Sequence, residues 1–157
     1  MQAIKTEYRG VTFRSRLEAR WAIFFDDMEW PWQYEQHTLR LSDGSHYTPD
    51  FLIEPRLAGK IFTEIKPLEP TGFEIFKLRS AEPILLLIGQ PSFRDYWFLD
   101  KGDEHLMLLE TWVKAPMDRV VDETYFSIRY HKAVEKARHA RFDGFDKDRE
   151  TIRYRYD

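Results

Sequence analysis

The feature that most constrains the fold of this chain is a pair of short apolar runs on either side of a turn-like segment. The runs at 47–53 and 62–66 flank Glu54-Pro-Arg-Leu-Ala-Gly59, whose proline and glycine favour a turn. This pattern is typical of neighbouring strands in a hairpin. Because side chains alternate between the two faces of a strand, Glu64 and Lys66 are predicted to point the same way.

Asp50, in the first run, is expected to face these two charges. It follows Pro49, which cannot donate to a strand ladder and therefore tends to lie at an edge or a distortion. Mg²⁺ takes oxygen ligands, usually one or two carboxylates together with phosphate oxygens and water. The residue types thus predict a Mg²⁺ or Mn²⁺ site suited to phosphoryl chemistry, and the alternative is a surface hairpin whose charges face water.

The elements around this hairpin predict an α/β fold with a mixed sheet flanked by helices. Ser15 and Glu18 have the spacing of a capping box, which predicts a helix over 16–29. The run Ile84–Ile88 is continuously apolar, as in a strand buried on both faces. Further strands are predicted at 32–36 and 47–53, a turn at Asp43-Gly44, and a helix at 73–80. The strands at 60–66 and 84–88, joined through that helix, should be parallel.

The whole chain, 1–157, is predicted to be one domain, with a core at about 15–90 and an extension over 91–157. The extension should contain strands at 96–99 and 105–109, a helix at 127–142 and a partly ordered tail at 143–157. We expect no membrane segment, because no apolar run approaches the roughly 20 residues that a span requires. The lack of cysteine excludes thiolate zinc sites and disulfides and is compatible with a cytoplasmic protein.

Glu18 has two interpretations, which stay open at this point. As the partner of Ser15 it would complete a helix cap. As an acid on the first helix it would stand near the predicted metal site. The two roles are compatible, although one carboxylate seldom serves both well.

Four segments together resemble the PD-(D/E)XK nuclease superfamily: Ser15-Arg-Leu-Glu18, Tyr34-Glu-Gln36, Tyr47-Thr-Pro-Asp-Phe51 and Glu64-Ile-Lys-Pro67. The nearest resemblance is to small nucleases of phages and prophages and to the TnsA-type endonuclease subunit of transposases. It implies a restriction-endonuclease-like core, with elements in the order helix, three strands, helix, strand. It also implies a Mg²⁺-dependent deoxyribonuclease in the cytoplasm of a bacterial or phage-infected cell.

The resemblance also implies roles for individual residues. Its catalytic set corresponds to Glu18, Asp50, Glu64 and Lys66. Asp50 and Glu64 would bind the metal, joined by the backbone carbonyl of Ile65. Partners would be DNA, a second copy of the chain, or a recombinase or transposase. The alternative is a non-catalytic module that uses the same fold to bind nucleic acid or protein.

Contact with DNA is predicted from the distribution of charge, because the net charge of −3 provides no overall basic footprint. Basic residues concentrate in the first twenty residues and beyond residue 127, on either side of an acidic middle. Two basic ends would hold a phosphate backbone across the metal site. The residues expected to contact DNA are Arg14, Arg16, Lys77, Arg129, Lys132 and Lys136.

Overall fold

The computed structural model describes residues 3–41, 43–55, 59–78, 82–100, 103–108 and 123–156. This part of the chain has a mixed α/β structure, which confirms the predicted class. Its three helices are α1 (Arg16–Asp27), α2 (Gly72–Leu78) and α3 (Glu123–Arg138). None of the helices in the described ranges is both long and apolar enough to cross a membrane.

The strands form a six-stranded, a four-stranded and a two-stranded sheet within these ranges. In chain order they are β1 (Lys5–Tyr8), β2 (Val11–Phe13), β3 (Trp32–Tyr34), β4 (Leu39–Arg40), β5 (His46–Tyr47), β6 (Phe51–Ile53), β7 (Ile61–Lys66), β8 (Ile84–Ile88), β9 (Asp95–Asp100), β10 (Asp103–Leu108), β11 (Phe142–Asp146) and β12 (Thr151–Tyr154).

The six-stranded sheet has the order β10-β9-β8-β7-β6-β3 and carries the predicted hairpin near its centre. Strands β6 and β7 are antiparallel, with Phe51 opposite Thr63. Strands β7 and β8 are parallel, with Glu64 opposite Leu86. The hairpin and the parallel pair are therefore confirmed, and α2 lies between β7 and β8 in the chain.

The run at 47–53 is divided between two sheets, where a single strand was predicted. His46–Tyr47 pairs with Leu39–Arg40 across the Asp43-Gly44 turn, whereas Phe51–Ile53 joins the six-stranded sheet. The division falls at Thr48, Pro49 and Asp50, where proline lacks the N–H that a continuous ladder would need. Asp50 therefore stands directly before β6.

Apolar side chains cover both faces of this sheet. On one face Trp21, Phe24 and Phe25 of α1 belong to a core cluster that includes Phe51 and Ile65. On the other face, Ile75 and Leu78 of α2 share a cluster with Ile84, Leu86 and Ile88. Strand β8 is buried along its whole length, as its continuous apolar sequence predicted.

The expectation of a partly ordered tail at 143–157 is wrong. Phe142–Asp146 and Thr151–Tyr154 are strands of the four-stranded sheet, whose order is β11-β12-β1-β2. Strand β12 lies parallel to β1, and the ring of Tyr154 packs edge-on against Tyr8 at 5.2 Å between centroids. The alternation of Ile152 and Tyr154 is a strand pattern that was too short to be recognised without its partner strand.

Several predicted boundaries also differ from the structure. Helix α1 ends at Asp27, two residues before the predicted end, and Glu29 has a left-handed backbone with φ of 59°. Helix α3 covers 123–138, not 127–142, because Phe142 belongs to β11. The predicted strands at 96–99 and 105–109 correspond to β9 and β10. Residue 109 and residues 79–80 of the predicted second helix lie outside the described ranges.

Candidate metal centre

Asp50 is held at the end of the six-stranded sheet by both of its carboxylate oxygens. Oδ2 accepts a hydrogen bond from the backbone N–H of Ile65 at 2.8 Å, and Oδ1 accepts one from Nη2 of Arg14 at 2.9 Å. The residue is only 2% exposed. Burial raises the pKa of Asp50 to about 7, against the opposing effect of the Ile65 N–H and the Arg14 charge.

Glu18 forms the helix cap that its sequence position suggested, and its carboxylate also lies near Asp50. Its backbone N–H donates to Oγ of Ser15 at 3.1 Å, and that hydroxyl donates back to Oε1 of Glu18 at 2.8 Å. Its other oxygen, Oε2, accepts a hydrogen bond from the hydroxyl of Tyr34. The carboxylate is thus fixed by the helix cap on one side and by the end of β3 on the other.

Glu35 is an acid of this site that the sequence analysis did not assign. Among the described residues, carboxylate oxygens of Glu18, Glu35 and Asp50 lie within 4.8 Å of one another. The backbone N–H of Glu35 donates to the carbonyl of Asp50 at 2.9 Å, which continues the pairing of Tyr34 with Phe51. Pairing of a predicted 32–36 strand with the Asp50 strand would have revealed this neighbour.

The backbone of Glu35 is left-handed, with φ of 50°. A residue other than glycine in this conformation is uncommon and costs about 1–3 kcal/mol unless its surroundings hold it there. Here the backbone bond to Asp50 and an ion pair between Oε1 of Glu35 and Nε of Arg14 provide that restraint. The conformation ends β3 and places the acid beside Asp50.

Arg14, predicted to contact DNA, lies among these carboxylates. Besides its bonds to Asp50 and Glu35, its Nε is 4.0 Å from Oε2 of Glu18. Its backbone N–H donates to the hydroxyl of Tyr34 at 3.1 Å. The side chain is nevertheless 64% exposed, so the guanidinium reaches the cluster from the solvent side.

Glu64 and Lys66 lie on β7, next to this cluster. Phe51 is opposite Thr63, so Asp50 and Glu64 are the next residues in register beyond that pair. Burial raises the pKa of Glu64 to about 7; the positive charges of Lys66 and Arg14 lower it, and the charges of Glu18 and Glu35 raise it. Glu64 is therefore within electrostatic range of the cluster, although its carboxylate is not one of the three that lie within 4.8 Å.

The other basic residues predicted to contact DNA lie on three helices. Arg16 on α1 and Lys77 on α2 are exposed, as is Lys132 on α3. Arg129 donates from Nε and Nη2 to the carbonyl of Asp27 at 3.1 and 3.0 Å, and Nζ of Lys136 pairs with the Asp27 carboxylate at 3.4 Å. These contacts bind α3 to the end of α1, so a phosphate contact would have to replace them.

Comparison of the chain with known protein families, with characterised proteins and with solved structures found no match. Assignment of a function therefore depends on the chemistry of the site. Its donors are all carboxylate oxygens, which suit Mg²⁺ and Mn²⁺. Oxygens bound to one Mg²⁺ at about 2.1 Å are at most roughly 4.2 Å apart, so the cluster would need only a small contraction to hold the ion.

Proposed function

We propose that this protein is a Mg²⁺-dependent endonuclease that hydrolyses DNA phosphodiester bonds, with a restriction-endonuclease-like core of the PD-(D/E)XK type. The observation that carries the proposal is the carboxylate cluster at the end of the six-stranded sheet, next to Glu64 and Lys66, in which Glu18 and Asp50 are buried and Glu35 is half-buried. Removing carboxylate charges from water is costly, and a single arginine, Arg14, is the positive charge shared by these three acids. A divalent cation would offset that cost.

The arrangement of the core supports the same assignment. Helix α1 precedes β3, β6 and β7, and α2 joins the parallel strands β7 and β8. This is the order of helix, three strands, helix and strand that the resemblance implied, with the small β4–β5 hairpin inserted before β6. The motif residues Glu18, Asp50 and Glu64 come from three of these elements or their immediate ends.

Within the proposal, Asp50 and Glu64 are the principal metal ligands, with the backbone carbonyl of Ile65. Glu18 and Glu35 supply further carboxylate oxygens. A cation held by these residues would polarise the scissile phosphate and lower the pKa of a coordinated water. Lys66 orients that water or offsets the negative charge that grows on the phosphate oxygens. An ammonium beside the acids suits an anionic phosphate substrate better than it suits a sugar oxocarbenium ion.

The test is a cleavage assay on duplex, single-stranded and branched DNA, with Mg²⁺, Mn²⁺ or a chelator. We expect wild-type protein to cut at least one substrate only when a divalent cation is present. Asp50→Asn and Glu64→Gln should each reduce the rate at least about 100-fold, because each removes a charged ligand. Asp143→Asn, a change in an exposed acid of β11, is the control.

Circular dichroism should show that these variants are folded. Cleavage that persists in the chelator, or full activity of Asp50→Asn, would refute the assigned site. A wild-type protein that binds DNA but cuts none of the substrates with either cation would refute the enzyme assignment and favour the non-catalytic module.

A further inference from the structure

The guanidinium of Arg14 lies among the three carboxylates of the cluster. The residue lies between β2 and the N-cap Ser15, and its backbone is tied to Tyr34. Its guanidinium bonds to Asp50 and Glu35 and is 4.0 Å from Glu18, so one positive group contacts three acids from three segments of the chain.

The Asp50 and Glu35 oxygens that bond to Arg14 have no other hydrogen bond among those described above, whereas Oε2 of Glu18 also accepts one from Tyr34. Oδ2 of Asp50 is taken by the Ile65 N–H, which leaves Oδ1 directed at Nη2 of Arg14. Oε1 of Glu35 is bonded to Nε of the same guanidinium. A divalent cation held by this cluster would compete with Arg14 for these two oxygens, and its charge would repel a guanidinium a few ångströms away.

The side chain of Arg14 can also move away from the cluster. Its side chain is 64% exposed, so it can swing into water without disturbing the core. By contrast, two of the acids have side-chain contacts other than Arg14: Asp50 with Ile65, and Glu18 with Ser15 and Tyr34. Within the described ranges, Glu35 keeps only its backbone bond to Asp50 when its ion pair with Arg14 breaks. Asp50 and Glu18 would therefore keep their positions after the guanidinium has moved away, and the Glu35 carboxylate would be released to bind a cation.

We propose that Arg14 and a divalent cation exclude each other at the Glu18–Glu35–Asp50 cluster. Arg14 holds the acids together until the cation replaces it, and the released guanidinium then lies at the mouth of the site, where a phosphate would bind. This inference rests on the proposed function, since it takes the cluster to be part of the metal site. Its physical basis is competition between a single and a double positive charge for the same oxygens.

Calorimetric titration of Mn²⁺ into chelator-treated protein tests the competition. Arg14→Gln removes the charge, and we expect the Mn²⁺ Kd to fall at least tenfold. Arg14→Lys keeps the charge but lacks the planar fork, so its Kd should lie between those of wild type and Arg14→Gln. The matched control is Arg155→Gln, which removes an exposed arginine paired with Asp143 of β11 and should leave the Kd unchanged.

A second measurement uses wild-type protein and does not depend on the folding of a variant. The NMR signal of the Arg14 Nε–H, identified by its loss in Arg14→Lys, should shift on addition of diamagnetic Mg²⁺ as its bond to Glu35 breaks. An unchanged signal at saturating Mg²⁺, or equal Mn²⁺ Kd values in wild type and Arg14→Gln, would refute the mutual exclusion of Arg14 and the cation. Neither result would contradict the metal site itself. Absence of Mn²⁺ binding in both proteins would overturn the metal site and this inference together.

Discussion

The hydroxyl of Tyr34 donates a hydrogen bond to Oε2 of Glu18 at 2.5 Å. This contact joins the last residue of β3 to the first turn of α1, 16 residues earlier in the chain. Burial and the bond to Glu18 raise the pKa of Tyr34 above its usual range, so the hydroxyl keeps its proton and remains a donor. Tyr34 therefore orients an acid of the cluster without belonging to the set of ligands.

Tyr34→Phe should weaken the binding of Mn²⁺. The ring contacts with Phe13 and Phe51 would remain, at centroid distances of 4.6 and 5.3 Å. The hydroxyl's bond to Glu18 and the one it accepts from the Arg14 N–H would be lost. Residues that orient a metal ligand typically contribute about 10–100-fold to affinity, so we expect a Kd increase near the lower end of that range. The free energy of unfolding should fall by about 1–3 kcal/mol, as measured by urea titration.

The control for this change is Tyr96→Phe. Tyr96 is fully buried and its hydroxyl bonds to Ser92, so its removal should cost comparable stability. It has no contact with the acids described above, and its Mn²⁺ Kd should equal that of wild type. If the Mn²⁺ Kd of Tyr34→Phe equals that of wild type, then the hydrogen bond from Tyr34 is not needed to orient Glu18 for metal binding.

Glu64→Gln should change how stability depends on pH. The pKa of Glu64 is about 7 in the folded protein, against 4.5 for an unperturbed glutamate. Between these values the folded state binds more protons than the unfolded state, so the free energy of unfolding falls as pH rises and levels off above about pH 7. Glutamine does not titrate, so the variant lacks this fall. Its free energy of unfolding should exceed that of wild type by about 1–3 kcal/mol at pH 8 but not at pH 4.

Urea unfolding at intervals from pH 4 to 8, without divalent cations, measures this difference. In both proteins Asp50 also lowers the free energy of unfolding as the pH rises, because burial raises its pKa to about 7. Glu54→Gln, which changes an exposed acid, should follow the wild-type curve. If Glu64→Gln also follows that curve, then burial does not raise the pKa of Glu64 in the folded protein.

Lys66→Ala should reduce turnover strongly and leave the Mn²⁺ Kd within about threefold of wild type, because an ammonium cannot be a metal ligand. Lys66→Arg should restore little activity, since a planar guanidinium does not replace a compact charge. Single-turnover cleavage and calorimetry on the same preparations separate the two effects. Wild-type turnover in Lys66→Ala would refute the proposed role of Lys66.

Two basic residues of α3 should have different roles, Arg129 in stability and Lys132 in DNA binding. Arg129→Ala should lower the free energy of unfolding by about 1–3 kcal/mol, because it removes two hydrogen bonds to the Asp27 carbonyl. Lys132→Ala should leave stability unchanged, since this side chain is exposed. If Lys132 contacts a phosphate, its loss should flatten the log–log salt dependence of duplex binding by about 0.9. An unchanged slope would mean that Lys132 is only solvated.

Local patterns in the sequence determined much of the framework around the site. The turn between two apolar runs predicted the β6–β7 hairpin, and Ser15 with Glu18 predicted the start of α1. The continuously apolar run at 84–88 predicted a strand buried on both faces. Each of these features depends on residues close together in the chain, where backbone preferences and periodicity act directly.

The tertiary structure alone decided which distant groups meet. Glu35 joins the cluster because β3 pairs with β6, and Arg14 lies there because the hairpin before α1 ends beside both strands. Strand β12 forms because β1, at the other end of the chain, offers it a partner. A strand pattern specifies that a segment can pair but not which segment it pairs with, and that choice depends on burying the apolar faces of the whole molecule at once.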